Sequence, residues 1–365
     1  MNFKTLLIGL AAIAMTACSD DEPEVPQTPP EQKPQPVEPV EVTISIDNPT
    51  YNIYVGEMYN IPVTVSPENT VLTWTSSDRK VALVDRNGQV MGLTTGTATI
   101  TATHGEVSAS CIVTVSEKAQ AGDFYYSDGT WSSALDPDKT PIGIVFWAGD
   151  PTADDAALRR DHPNCTNGLV ISAVNECVPS AWQARHEDYN RPTGPWIEQN
   201  APQYESPVSV WMQDTRRNKI CGYNNTKALE AFNAAAENSG WPVTAVESVA
   251  AYRSANPAPE SSSDWYLPSV KELTLLINSD FDGEVFYFNN TNKDLCLKNK
   301  AFINMRLSMI DNAEPIGRDN WAYDLWSSTD WDNISAYQIS TIDGSIMGSK
   351  KDYNQNQIVR CILAF

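Results

Sequence analysis

An abrupt change in composition near residue 42 is the feature that most constrains how this chain can fold. Residues 19–41 contain seven prolines and seven acidic residues but a single lysine. Such a segment has too little apolar surface to form a core, and it favours an extended, polyproline-like conformation. We therefore predict that residues 18–41 form an extended tether and that folded structure begins at residue 42.

The first 17 residues have the features of an export signal. Lys4 precedes an apolar run, Leu6–Met15, that is too short to cross a bilayer as a helix. Met15-Thr16-Ala17-Cys18 resembles the lipobox of bacterial lipoproteins, which implies cleavage before Cys18 and acylation of its thiol. The acidic run Ser19–Glu22 is similar to a signal for export to the outer face of some outer membranes. We therefore expect a lipid-anchored outer-membrane protein that is exposed at the cell surface.

The net charge excludes nucleic acid as a partner. The 365 residues include 25 lysines and arginines against 46 aspartates and glutamates, which gives a formal charge of −21. A surface this acidic does not bind phosphates by counterion release. It also does not attach to an anionic membrane through basic patches, so the lipid at Cys18 is the expected membrane attachment.

Residues 42–116 alternate apolar and polar side chains with the period of a β-strand. Turn signals such as Asn87-Gly88 separate the alternating segments, and this spacing predicts a small antiparallel sandwich. Cys111 lies on the inward side of its predicted strand and is expected to be a buried thiol. The alternating segments are Val42–Ile46, Ile61–Val65, Ala98–Ala102 and Ala109–Val115.

The same region resembles the bacterial immunoglobulin-like group 2 (Big2) module. The resemblance is carried, in order, by Leu72–Asp78, Val81–Asp85 and Gly88–Ile100. It implies that Trp74 is the core aromatic residue and that Gly88 occupies a hairpin turn. It also implies a spacer or adhesion module without catalysis.

Residues 122–365 form the third and largest predicted unit, which mixes strands with short helices. Ser269 and Glu272 have the spacing of a capping box at the start of a helix. The apolar segment 358–365 predicts a strand inside a sheet.

Three blocks of this unit resemble the DUF1566, or Lcl C-terminal, family. They are Asp264–Leu273, Leu325–Thr329 and Val359–Cys361, and the chain departs from the family signature where Asp264 replaces a glycine and Tyr266 an arginine. The resemblance implies a fold similar to C-type lectins and to formylglycine-generating enzymes. The predicted architecture is therefore multidomain, with an all-β Ig-like sandwich followed by an α+β C-type-lectin-like domain.

The sequence predicts no catalytic residue. His104, His162 and His186 are scattered, and the sequence has no phosphate-binding glycine loop and no pair of Cys-x-x-Cys motifs. Two of the many carboxylates could converge for glycoside chemistry, but the sequence does not indicate which pair.

The predicted ligand-binding face consists of loop residues. The run 178–215 has little periodicity and holds aromatic rings, which stack well on sugars; alternatively, these rings pin a long loop to the domain. Asp330–Asn333 resembles the sugar-site motif of calcium-dependent lectins with its last two residues exchanged. The candidate ligand-binding residues are Trp182, Tyr189, Trp196, Tyr204, Asp330, Asp332 and Asn333.

Calcium is the cofactor that this composition suggests, because oxygen ligands suffice to bind it and it is abundant outside cells. The candidate ligands are Asp280, Asp282 and Asp332. The first two belong to a segment that resembles the start of an EF-hand loop, but Asn289 stands where a bidentate glutamate is needed. A plain turn is therefore the favoured interpretation of that segment.

The spacing of five cysteines in the third unit does not choose between disulfides and buried thiols. They are Cys165, Cys177, Cys221, Cys296 and Cys361.

Together these features predict a surface lipoprotein whose Ig-like spacer presents a lectin-like domain. That domain would bind a glycan or a host or matrix protein without covalent chemistry. Two alternatives stay open, namely an accessory or tip subunit of a surface filament and an enzyme that acts on polysaccharide.

Overall fold

A computed structural model provides the three-dimensional structure of the protein. The predicted signal, the tether and Cys18 lie outside the residues that it describes. Within the described residues, no helix is both long enough and apolar enough to span a membrane. The described residues are 41–174, 180–184, 192–210, 214–290, 293–317, 324–352 and 357–365.

Residues 43–116 fold into nine strands, which confirms the β structure predicted from the period-two pattern, although the pair Thr50–Tyr54 with Val107–Ser116 is parallel instead of antiparallel. One sheet has the order β2-β9-β8-β5, a second has the order β3-β7-β6, and β1 pairs with β4. The strands are β1 (Thr43–Ile46), β2 (Thr50–Tyr54), β3 (Met58–Asn60), β4 (Val63–Ser66), β5 (Thr73–Ser76), β6 (Ala82–Val84), β7 (Gln89–Gly92), β8 (Gly96–His104) and β9 (Val107–Ser116).

The core of this sandwich comes largely from the inward residues of β8 and β9. Ile100 on β8 and Val113 on β9 are almost completely buried, and Trp74 packs against the same cluster. Cys111 is buried as predicted, and burial raises the pKa of its thiol. The thiol therefore stays protonated and behaves as a small apolar core residue.

The sandwich continues into the C-terminal region without a free linker. Ala119, just after β9, is buried in the apolar cluster that contains Phe365. The Trp131 indole N–H donates to the carbonyl oxygen of Glu117 at 3.0 Å. The Tyr54 hydroxyl, at the end of β2, donates to the side-chain oxygen of Asn167. Both the connecting segment and the sandwich itself are thus in contact with the region that follows.

The C-terminal region combines two sheets with helices that pack around them. The first sheet has the order β11-β10-β12-β13-β18 and the second the order β16-β15-β14-β17. The elements are β10 (Phe124–Tyr126), β11 (Trp131–Ser132), β12 (Pro141–Ala148), α1 (Ala156–Asp161), β13 (Gly168–Ser172), α2 (Thr193–Asn200), α3 (Gly222–Ala234), α4 (Thr244–Ala255), α5 (Val270–Ile277), α6 (Lys293–Leu307), β14 (Asp324–Asp330), β15 (Ser335–Ser340), β16 (Ile346–Lys350), β17 (Gln357–Ile358) and β18 (Ile362–Ala364).

Helix α5 starts at the predicted capping box. The Ser269 side chain accepts from the backbone N–H of Glu272, and the Glu272 carboxylate accepts from the backbone N–H of Ser269. Two tryptophans of the signature blocks, Trp265 and Trp326, are completely buried. Both belong to an apolar cluster that includes Phe232 of α3 and Val249 of α4.

The end of the chain joins the two sheets. The sequence predicts one strand over 358–365, but the structure divides this segment into β17, parallel to β14, and β18, antiparallel to β13. Arg360 lies between them and is 1% exposed. Its guanidinium donates to the carbonyl oxygens of Ser172, Ala173 and Glu314. A buried cation can remain there because carbonyl oxygens satisfy its donors.

The contact between Gly88 and Trp74 gives a test of the sandwich core. Gly88 has a φ of 82°, and a Cβ there would lie 2.6 Å from the Trp74 ring. We expect Gly88→Ala to destabilise the sandwich by about 2–4 kcal/mol, because the left-handed conformation and the clash both cost energy. Hydrogen exchange of the β8 and β9 amides, measured by mass spectrometry, reports this loss.

Gly56→Ala is the matched control, because Gly56 has the same φ of 82° but no atom within 4 Å of an added Cβ. It should cost only the conformational part, about 1 kcal/mol. Equal losses in the two variants would show that Trp74 does not pack against this turn.

Candidate functional site

The structure places Trp182, a predicted ligand contact, in the interior. Its side chain is completely buried, and its indole N–H donates to the carbonyl oxygen of Ser327 at 2.8 Å. The Nζ of Lys351 lies 4.6 Å from the centre of its ring. A ring without exposed surface cannot stack on a sugar, so the prediction of a ligand role for Trp182 is corrected to a core role.

Asp330, at the end of β14, is likewise an interior residue. Its Oδ2 accepts from Lys351 Nζ at 3.0 Å and from the hydroxyl of Thr193 at the start of α2. Its other oxygen, Oδ1, is buried without a hydrogen-bond partner. Burial raises the pKa of the Asp330 carboxyl, although the neighbouring ammonium opposes this shift. The predicted sugar-binding role is therefore corrected, since no carboxylate oxygen of Asp330 reaches solvent.

The remaining residues of the lectin-like motif form the turn between β14 and β15. Asp332 Oδ1 accepts from the backbone N–H groups of Ile334 at 2.9 Å and Ser335 at 2.7 Å. This oxygen therefore closes the turn, and a ligand or calcium role for the half-buried Asp332 stays a prediction. Asn333 is exposed at the tip of the turn.

Two predicted aromatic residues keep part of their surface exposed. The Trp196 indole N–H donates to Oε1 of the exposed residue Glu237 at 3.1 Å, and its ring meets Phe232 edge-on at 5.4 Å. The Tyr204 ring lies 5.6 Å from the Arg160 guanidinium carbon. Tyr189 lies outside the described residues. The structure therefore retains Trp196 as an aromatic surface candidate and adds Glu237, which no sequence pattern marked as a candidate.

The EF-hand-like segment after α5 is a turn that is held by hydrogen bonds from Lys271. Lys271 Nζ donates to the carbonyl oxygens of Phe281 at 3.3 Å and Gly283 at 2.8 Å. Asp280 and Asp282 are exposed. Among the described residues, no group of three or more histidine, cysteine or acidic side chains is placed to hold a metal ion. The segment is therefore the plain turn that its sequence favours, and a calcium role for Asp280 and Asp282 stays a prediction.

The described cysteines of the C-terminal region are buried. They are Cys165, Cys221, Cys296 and Cys361, whereas Cys177 lies outside the described residues.

Two carboxylates do converge, but around the start of α3 in the interior. Glu272 Oε2 accepts from the backbone N–H of Gly222 at 3.1 Å, and its Oε1 accepts from the Tyr266 hydroxyl at 3.0 Å. Asp155 Oδ2 accepts from the backbone N–H of Asn224 at 2.8 Å. Both groups thus bind the first N–H groups of α3, where the helix dipole favours negative charge.

The burial of this pair prevents contact with a substrate. Asp155 is 2% exposed and Glu272 is 1% exposed. Burial raises the pKa of Glu272 to about 7 and that of Asp155 to about 6, and the mutual repulsion of the two carboxylates contributes to the shift of Glu272. Although such perturbed values are typical of catalytic acids, these buried oxygens already accept from backbone N–H groups and from the Tyr266 hydroxyl.

Comparison with known proteins identifies the N-terminal module. Residues 37–115 match the family model of the bacterial Ig-like domain, group 2. The chain is thus a multidomain, largely β protein that contains a Big2 Ig-like domain, as its sequence predicts.

Two further similarities are to fimbrial proteins. A putative fimbrium tip subunit, Fim1C, of Bacteroides ovatus is 28% identical over 192 residues, which cover 46% of this chain and 34% of that protein. The crystal structure of a fimbrial protein from the same species has a TM-score of 0.50 with 18% identity, over 89% of this chain and 71% of that one. At this identity, the structural similarity shows a shared fold. The present chain spans about a third of the length of the tip subunit.

A similarity to one glycosidase covers a smaller part of both proteins. Lacto-N-biosidase of Bifidobacterium bifidum is 37% identical over 106 residues, which are 27% of this chain and 9% of the enzyme. So small a share of an enzyme carries no information about activity in this chain.

The buried pair at α3 predicts a pH dependence of stability. Because the pKa of Glu272 is raised in the fold, the folded chain holds that proton more tightly than the unfolded chain does. The resulting stabilisation is complete below about pH 4 and is lost as the pH rises through about 7. We expect the free energy of unfolding to fall by roughly 3 kcal/mol from this group between pH 5 and 8.

Glu272→Gln should remove most of this pH dependence of the free energy of unfolding. The measurement is urea unfolding at each pH, with tryptophan fluorescence as the readout. A smaller slope from Asp155 should remain, because its pKa is also raised. Glu247→Gln, on the exposed face of α4, should keep the wild-type slope. An unchanged slope in Glu272→Gln would mean that this carboxyl titrates normally in the fold.

Proposed function

We propose that this chain is an accessory or tip subunit of a surface filament and is held to the outer membrane through a lipid at Cys18. The observation that carries the proposal is the similarity to the putative fimbrium tip subunit. Its 192 matched residues extend well beyond the Ig-like module of residues 37–115. The similarity therefore includes sequence outside a module that occurs in many unrelated surface proteins and enzymes.

The connection between the two folded regions supports this proposal. A subunit that presents its outer domain away from the membrane gains from a fixed geometry between domains. Ala119 is buried beyond the end of β9, and Tyr54 bonds Asn167 across the junction. These contacts restrict bending of the Ig-like module against the C-terminal region.

We assign the C-terminal region to the lectin-like DUF1566 class as part of the same proposal. The sequence departs from the family signature where Asp264 replaces glycine, and Asp264 has a φ of 65°. This is the left-handed region that glycine enters without strain and that aspartate tolerates better than most residues. A glycine in the signature and an aspartate here thus satisfy the same backbone requirement.

A second candidate function is recognition of a glycan or of a host or matrix protein by the outer surface of the C-terminal region. The half-buried Trp196 ring beside the exposed Glu237 favours it. Aromatic faces and adjacent hydrogen-bonding groups are common in sugar sites and in protein hot spots. Filament membership and recognition are compatible, because a tip subunit is the first part of a filament to meet a surface.

The filament proposal predicts where the chain lies on the cell. Immunogold labelling with antibody against residues 122–365 should place gold particles at filament ends, and filaments sheared from the cells should contain the chain. Label along the whole shaft would make it a shaft subunit. Recovery of the chain only in membranes without filaments would contradict the proposal.

The recognition function predicts a loss of binding in Trp196→Ala. On arrays of glycans and extracellular proteins, probed with and without a calcium chelator, we expect affinity for any ligand to fall at least tenfold, because a stacked ring contributes about 1.5 kcal/mol or more. Tyr59→Ala, which removes a ring 37% exposed on the Ig-like module, is the control and should bind normally. Equal binding by both variants would place the site elsewhere.

A further inference from the structure

The ion pair between Lys351 and Asp330 differs from the surface ion pairs of the molecule in its burial. The two side chains are 6% and 1% exposed, and Lys351 Nζ lies 3.0 Å from Asp330 Oδ2. Lys139 and Asp128 form a pair of similar length, 2.9 Å, but their side chains are 33% and 49% exposed. Of these two pairs, only Lys351 and Asp330 are therefore both shielded from water and in direct contact.

The surroundings disfavour two full charges at this site. Asp330 Oδ1 has no hydrogen-bond partner, so an ionised carboxylate would carry an unsatisfied charged oxygen in the interior. The buried Trp182 ring lies 4.6 Å from Lys351 Nζ; this contact favours the ammonium form of the lysine, whereas the unpaired Oδ1 disfavours the carboxylate form of the aspartate. Transfer of one proton from nitrogen to oxygen gives a neutral amine beside a neutral acid, a state that burial penalises less than an ion pair.

The hydroxyl of Thr193 distinguishes the two carboxyl oxygens. It donates to Oδ2, the same oxygen that accepts from Lys351. A carboxyl oxygen that holds a proton and receives a second hydrogen bond is prepared to leave as water. The fold also holds the two reacting groups in contact, so they need not meet by diffusion. In well-oriented intramolecular reactions this corresponds to an effective concentration of about 10⁵ M or more.

We propose that Lys351 and Asp330 condense to an intramolecular amide that links β14 to the residue following β16. The lone pair of the neutral Nζ attacks Cγ of the neutral carboxyl group, and a nitrogen–carbon bond forms. The bond from Cγ to Oδ2 breaks, and this oxygen leaves with its own proton and one from nitrogen as a water molecule. No atom changes oxidation state, so the step needs no cofactor or oxidant.

The product closes a covalent ring across a sequence separation of 21 residues. This ring contains the exposed turn at Asn333 and the hairpin of β15 and β16, and it begins at the last residue of β14. Local opening of these strands would then leave their ends joined. Such an amide is a chemical modification of the fold, and its formation does not depend on filament membership or on ligand recognition.

Intact mass spectrometry of the full chain in denaturant tests the amide. Wild type should be lighter by one water molecule than the mass calculated from its sequence. The double variant Asp330→Leu, Lys351→Met should have its calculated mass. The double variant replaces the pair with apolar groups and avoids leaving one buried charge alone. Digestion of wild type should yield one branched peptide that contains both residues, and trypsin should not cleave after Lys351.

Asp330→Asn gives a second, independent readout. An asparagine at this position can form the same amide by losing ammonia, so the cross-linked variant and cross-linked wild type should have identical masses. Thr193→Val should lower the cross-linked fraction in freshly expressed protein, because it removes the donor to the leaving oxygen. The exposed pair supplies the control, since Lys139→Met should retain the loss of one water.

Three results would overturn the proposal. They are a wild-type mass equal to its formula, a loss of water that persists in the double variant, and a branched peptide that does not contain Lys351.

Discussion

The position of Arg360 is the constraint on which the C-terminal region depends. A guanidinium group cannot be deprotonated inside a protein, so the fold has to supply acceptors wherever it is buried. The structure supplies carbonyl oxygens of Ser172, Ala173 and Glu314. Because β17 and β18 flank Arg360 and belong to different sheets, these hydrogen bonds fix both sheets relative to each other and to the segment that precedes β14.

Local sequence patterns predicted the elements of the fold well, because those elements depend on local chemistry. The alternation over residues 42–116 defined the sandwich, and the Ser269–Glu272 capping box marked the start of α5. The break in the terminal strand at Arg360 was not predictable in the same way. It depends on carbonyl oxygens contributed by residues far away in the sequence.

The candidate site was less predictable for a physical reason. An aromatic or acidic residue in an irregular segment has no periodicity that distinguishes an inward from an outward side chain. Trp182 and Asp330 are buried by contacts with Ser327 and Lys351, whereas Trp196 remains half exposed beside Glu237. Only the Asp332 turn could have been identified locally, because aspartate commonly accepts from the backbone N–H groups two and three residues ahead.

The pairing of β2 with β9 has a mechanical consequence. These neighbouring strands run parallel, from Thr50 beside Ile112 to Tyr54 beside Ser116. Tension between the two ends of the Ig-like module would pull β2 and β9 in opposite directions along their length. Their hydrogen bonds lie across the strands, so all of them would be loaded in shear at once instead of breaking one after another.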